Sequence, residues 1–110
     1  MKYAGNSEYK VVITRDAKAH LAQILRYIRR DLGNEQAARN VKADILETKI
    51  KLSHIASSLK LCTNPRLRDL GYRTIHLKHH NYFMLYRIQD DIVYVDAIYH
   101  DLQDYENISR

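Results

Sequence analysis

Apolar residues recur along this chain with two different periods, and the switches between them divide it into elements. Residues 9–13, Tyr-Lys-Val-Val-Ile, form a β-branched and aromatic run of period two, which predicts a strand. Ala17, Leu21, Ile24, Leu25, Ile28 and Leu32 then follow at steps of three and four, the spacing that lines one face of a helix. Thr14 or Asp16 can accept from the free N–H groups at its start. Gly33 stops it, as glycine does where a left-handed residue must follow a helix. Asn34 is placed to cap a second helix over residues 35–59, with a stripe of Ala38, Val41, Ile45, Leu52, Ile55 and Leu59 interrupted by Thr48. Glu35/Arg39 and Glu47/Lys51 pair acid with base four residues apart on its outer face. With only two or three residues between them, the helices must fold back as an αα-hairpin.

Residues 60–71 contain the one proline, Pro65, and read as a connection. Beyond them the period returns to two. Residues 73–78 alternate, while 82–88 and 92–99 are richer in apolar positions, as central strands are. The turns His79-His80-Asn81 and Gln89-Asp90-Asp91 are short enough for hairpins. The expected fold is therefore α+β: an N-terminal strand, an αα-hairpin, then a three-strand antiparallel meander, β-α-α-β-β-β. The hairpin packs on one face of an antiparallel sheet, and the other face stays open to solvent or a partner. Tyr82, Tyr86 and Tyr94 are expected to share the core face with Met84 and Ile88. Residues 1–8, with Gly5, Asn6 and Ser7, read as a flexible arm before a single domain over residues 9–108.

Length supports that economy, since 110 residues make one small core and not two. A 45% hydrophobic fraction argues against disorder. No apolar run is long enough to span a membrane and the N-terminus has no apolar signal region, so a cytoplasmic protein with no membrane association is expected. Cys62 is alone, which leaves no internal disulfide. The net charge of +5 favours an anionic partner: nucleic acid, ribosome or an acidic protein. That charge is unevenly spread. Arg66, Arg68, Arg73, Lys78 and Arg87 face a single acid, Asp69, between positions 66 and 87, whereas six acids and only Arg110 follow from Asp90 onward.

The C-terminal stretch GYRTIHLKHHNYFMLYRIQDDIVYVDAIYHDLQDYENI carries a family pattern: Arg73 entering one strand, Tyr86-Arg87 closing the next, the acidic turn Asp90-Asp91, and a β-branched strand ending in His100, with Asp104 a few residues on. With the element order, this resembles the RelE/ParE superfamily of toxins from bacterial type II toxin–antitoxin systems, over roughly residues 9–108. The resemblance implies a growth-inhibiting toxin neutralised by a cognate antitoxin, possible higher-order toxin–antitoxin complexes, and one of two targets. RelE-like members cut messenger RNA on the ribosome; ParE-like members inhibit DNA gyrase without chemistry of their own. The RelE-like pattern places an Arg where this chain has Phe83, keeps only part of a basic pair near Arg73 and His76, and has a tail Arg that is missing around Gln103 and Tyr105. The ParE-like branch, with an apolar strand running into Tyr-Arg, fits better.

A nuclease built from other groups would use His100 as general acid or base, histidine being the side chain whose unperturbed pKa lies near neutrality, with Tyr99, Arg73 and Arg87 around it if the strands are adjacent. The alternative is that His100 satisfies a backbone group at the strand end. Arg66, Arg68, Arg73, Lys78 and Arg87 are the candidates for gripping a target phosphate or an acidic antitoxin. Arg87 points away from Tyr86, and Asp96 on the last strand is the natural carboxylate for it to pair with. His76, His79 and His80 have no matching Cys or carboxylate spacing, so neither a metal nor another cofactor is expected. Three readings stay open: gyrase inhibitor, ribosome-dependent endoribonuclease, and a non-toxic nucleic-acid-binding domain of the same fold.

Overall fold

Thr14 is where the chain turns from strand to helix, and it holds both. Its hydroxyl oxygen accepts from the Ala17 N–H at 3.4 Å and its O–H donates to the Val95 carbonyl at 3.0 Å, so the helix start is pinned to the sheet. The computed structural model describes residues 8–103. The elements are β1 (Lys10–Ile13), α1 (Arg15–Arg26), α2 (Glu35–Ile55), α3 (Pro65–Asp69), β2 (Tyr72–His76), β3 (Tyr82–Gln89) and β4 (Ile92–His100). The expected arm, apart from Glu8, lies outside the described residues, as do Asp104 and Tyr105. α1 widens into a π-helical turn, Tyr27–Asp31, before Gly33 reverses the chain at φ +60°. Asn34 then caps α2, its side-chain oxygen accepting from the Ala37 N–H at 2.9 Å. The end of α2 tightens into a 3-10 turn, Ala56–Ser58, and does not stay α-helical to residue 59.

The sheet order is β1-β4-β3-β2. β2, β3 and β4 form the expected antiparallel meander, but β1 joins β4 in parallel, Lys10 opposite Ile92 through Ile13 opposite Val95, so the sheet is mixed and not wholly antiparallel. Parallel neighbours need a long crossover, and here everything between Ile13 and Ile92 serves as one. A bulge interrupts the β3–β4 ladder. Leu85 faces Ala97 and Tyr86 faces Val95, which leaves Asp96 as the extra residue. Past the bulge the faces of β4 exchange: Val93, Val95 and Ile98 lie on the helix side, Ala97 and Tyr99 on the other. Tyr94 pairs with Arg87, on the side away from the helices, and so does not share the core face with Tyr82, Tyr86, Met84 and Ile88 as expected.

The main core lies between the hairpin and the sheet, with Ala17, Leu25, Ile28, Ala38, Val41, Ile45 and Leu52 against Ile75, Met84, Tyr86, Val93, Val95 and Ile98. The far face of the sheet is not left open. Cys62, Leu67, Phe83, Leu85, Ala97 and Tyr99 make a second small core there, with Tyr72 packed against it. The cover comes from the stretch read as a connection, which contains α3: Asn64 accepts from the Leu67 N–H at 3.0 Å, Pro65 takes the first turn where its missing N–H is no loss, and Gly71 ends the element at φ +84°.

Tyr86 is the largest fully buried side chain among the described residues, and its hydroxyl donates to the Ala56 carbonyl at 2.8 Å. Burial pushes its pKa up to about 12, and Tyr72 is raised to about 12 by burial and the neighbouring Asp96. A tyrosine in the unfolded chain ionises near pH 10, whereas folded Tyr86 holds its proton until about 12. Stability should therefore be constant on this account below pH 10 and fall by about 1.4 kcal/mol for each further pH unit up to 12. Urea midpoints between pH 9 and 12 should show that decline in the parent and a shallower one in Tyr86→Phe. Identical slopes would remove Tyr86 as its source.

Candidate functional site

The charged centre of the far face is built by the bulge. Asp96, turned out of the β4 ladder, accepts from Arg87 Nε at 2.8 Å and from the Tyr72 hydroxyl at 2.6 Å, both on Oδ2. The Arg87 guanidinium lies 4.6 Å above the Tyr94 ring and donates through Nη1 to Gln89 at 3.2 Å. The pairing of Arg87 with Asp96 anticipated from the sequence is thus present. The hydrogen bond to Asp96 raises the Arg87 pKa further, so its charge is fixed. A guanidinium already committed to a carboxylate, an amide and a ring has fewer donors left for a phosphate.

The other groups proposed for a nuclease are not gathered around it. Register puts His100 opposite Tyr82 on the helix side and Arg87 opposite Tyr94 on the far side, about 17 Å along β3 at roughly 3.4 Å per residue. Arg73, opposite Tyr86, is on the helix side but about 14 Å from the level of His100 by the same spacing, and its Nε donates to the Leu59 carbonyl at 2.8 Å. Tyr99 is on the far face among Phe83 and His20, and burial raises its pKa, away from proton transfer at neutral pH. His100 accepts the Leu102 N–H on Nδ1 at 3.1 Å and stacks edge-on with Tyr82 at 5.4 Å, which is the backbone-satisfying role weighed against catalysis. His76 faces Asp101, its Nδ1 3.2 Å from Oδ1.

Among the basic candidates, Arg66 and Arg68 are exposed on α3 and Lys78 is exposed just past β2. Arg68 also donates to the Thr63 carbonyl at 3.3 Å. These three are the fully exposed members of the set, whereas Arg73 and Arg87 are half-buried.

One polar cluster escaped the sequence reading. Asp44 sits on the buried stripe of α2, between Val41 and Thr48, and is only 2% exposed. Its Oδ2 accepts from the His79 backbone N–H at 2.9 Å and lies 2.8 Å from His80 Nδ1. Burial alone would raise its pKa, but hydrogen bonds from His80 and the His79 amide, with the nearby imidazoles, outweigh it and hold the carboxyl below the usual range. Glu47, expected to pair with Lys51, has an oxygen 3.7 Å from His79 Nε2 instead. Asn40, Ala43, Asp44, Glu47, His79 and His80 line an open pocket of about 390 Å³ between α2 and the β2–β3 turn. The signal was a charged residue at core spacing; its partners, 35 and 36 residues away, were not visible locally.

The chain belongs to the family described as the ParE toxin of the type II toxin–antitoxin system parDE, whose model matches residues 11–105. Its fold is similar to that in the chromosomal ParDE toxin–antitoxin system from P. aeruginosa, at 21% identity and a TM-score of 0.70, covering 86% of this chain and 98% of that one. It is similar as well to a chain of the toxin–antitoxin complex RelBE2 from Mycobacterium tuberculosis, at 20% identity and a TM-score of 0.58, covering 84% and 98% respectively. No curated protein gives a significant match. Among the described residues no helix is long and apolar enough to cross a membrane.

Proposed function

We propose that this toxin acts by binding a protein target, DNA gyrase, and not by cutting ribosome-bound messenger RNA. The observation that carries this reading is the separation of His100, Arg73, Arg87 and Tyr99 over two faces of the sheet, each already engaged within the fold. Cleavage needs cations converging on one phosphate with a proton-transferring group beside them. Gyrase inhibition needs only a shaped surface, and Arg66, Arg68 and Lys78 are exposed cations available to an acidic target. A cognate antitoxin is the other partner. Leu46 and Ile50, 51% and 65% exposed, flank a groove with Val11 of the edge strand β1, which suits an apolar helix or added strand from that antitoxin. Both encounters would take place in the cytoplasm.

The test sets a gyrase supercoiling assay beside ribosomes programmed with a defined message. Supercoiling should be inhibited by the parent and by His100→Ala, and inhibition should weaken in Arg66→Ala/Arg68→Ala. The message should stay intact. Codon-specific cutting that disappears in His100→Ala or Arg73→Ala would make the protein a nuclease and overturn the proposal.

A further inference from the structure

The pocket between α2 and the β2–β3 turn contains an anomaly that neither toxin activity nor antitoxin binding explains. Asp44 is one of two polar residues buried in the described fold, and its side chain is 1% exposed. While Oδ2 takes two hydrogen bonds, Oδ1 is buried with no donor at all. A carboxylate oxygen withdrawn from water and left unpartnered is unfavourable, and it is a place where a bound ion or a water supplies the missing partner. The neighbours define its chemistry. One ligand atom each from Asp44, Glu47 and His79 lies within 4.8 Å of the other two.

We propose that Asp44, Glu47 and His79 form a zinc site that ties the β2–β3 turn to α2. Two carboxylates and one imidazole are a donor set that zinc accepts, whereas magnesium and calcium take oxygen alone. Zinc bonds of about 2.0–2.2 Å in tetrahedral array place ligand atoms roughly 3.4 Å apart, so atoms now within 4.8 Å of one another must close in by up to about 1.4 Å. Glu47 and His79, both half-exposed, can make that movement by turning their side chains, while Asp44 stays fixed in the core. His80 and the His79 amide hold Oδ2, an arrangement in which outer partners orient a ligating carboxylate. Water would fill the fourth position, as the pocket is open on its outer side. Local spacing shows no partner for His79 because its carboxylates, Asp44 and Glu47, stand on a helix more than thirty residues earlier.

The full chain, prepared without a polyhistidine tag and stripped with a chelator, would be titrated with zinc chloride by calorimetry and followed by thermal melting. One equivalent should bind and the melting temperature should rise with zinc concentration, because the metal binds the folded state. Glu47→Gln and His79→Ala change half-exposed side chains, so both should fold, and each should weaken zinc binding by about tenfold or more. His79→Cys should restore it, since a thiolate is also a zinc ligand. His76→Ala and His54→Ala, exposed histidines outside the pocket, should leave the affinity unchanged. No saturable binding, or binding indifferent to Glu47→Gln and His79→Ala, or binding lost equally in His76→Ala, would overturn the proposal; Oδ1 would then be satisfied by water alone. Because the readout is metal affinity, the result is independent of whether gyrase is the target.

Discussion

Leu52→Ala is expected to destabilise the fold by about 2–5 kcal/mol, while Ile50→Ala, two residues away on the same helix, should change stability by no more than about 0.5 kcal/mol. Both residues are branched aliphatics in α2, and only their direction differs. Leu52 has no exposed surface and belongs to the core between hairpin and sheet, whereas Ile50 is 65% exposed. Truncating Leu52 removes buried methyl groups and leaves a cavity that the helix and sheet, held by Thr14 and by the capped helix ends, can only partly close. Ile45→Ala, at 3% exposure in the same stripe, should behave like Leu52→Ala. Domains of this size have total stabilities of about 5–15 kcal/mol, so either core change removes a large share. Urea unfolding of the three variants checks this, and equal midpoints for Leu52→Ala and Ile50→Ala would mean that α2 does not pack through this stripe.

What the sequence made legible is what local spacing encodes. The helix stripes, Gly33, the Asn34 cap and the meander strands follow from periods and turn residues and recur in the structure, except that Leu32 of the first stripe is exposed and α2 ends at Ile55. Arg87 and Asp96 were legible as a pair because each is a lone charge in an apolar strand. What local spacing does not encode was missed. The parallel entry of β1 depends on contacts such as Thr14 with Val95, 81 residues apart. The bulge at Asp96 leaves no turn residue to announce it, yet it moves Tyr94 off the core face and delivers Asp96 to Arg87 and Tyr72. α3 is a different case, since Asn64 followed by Pro65 is a helix-start signal that was present and outweighed by the proline. The candidate site suffered most. Adjacent strands bring residues of the family pattern to neighbouring positions but not to one face, and alternation puts Tyr99 and His100 on opposite sides of the sheet.

Phe83→Arg, which restores the cation of the RelE-like pattern, is expected to damage the fold without creating a nuclease. Phe83 is 3% exposed and lies in the second core with Leu67, Leu85 and Tyr99, its ring 5.8 Å from Tyr99 and 5.6 Å from His76. Losing a buried aromatic side chain costs about 3–5 kcal/mol, and a guanidinium left among apolar groups adds to that. The long arginine stem offers one escape, toward the rim pocket that Phe83 shares with His76 and Asp101. There the Asp101 carboxylate would claim the charge and hold it from any phosphate, while α3 still covers the inner part of the site. Phe83→Leu keeps the position apolar and should cost much less, about 1.5 kcal/mol or below. Denaturant titration should therefore rank the parent above Phe83→Leu and both well above Phe83→Arg, with no cutting of a ribosome-bound message by any of them. A Phe83→Arg protein as stable as the parent, or one that cleaves, would show that this strand position opens to the surface and that the nuclease constellation is one substitution away.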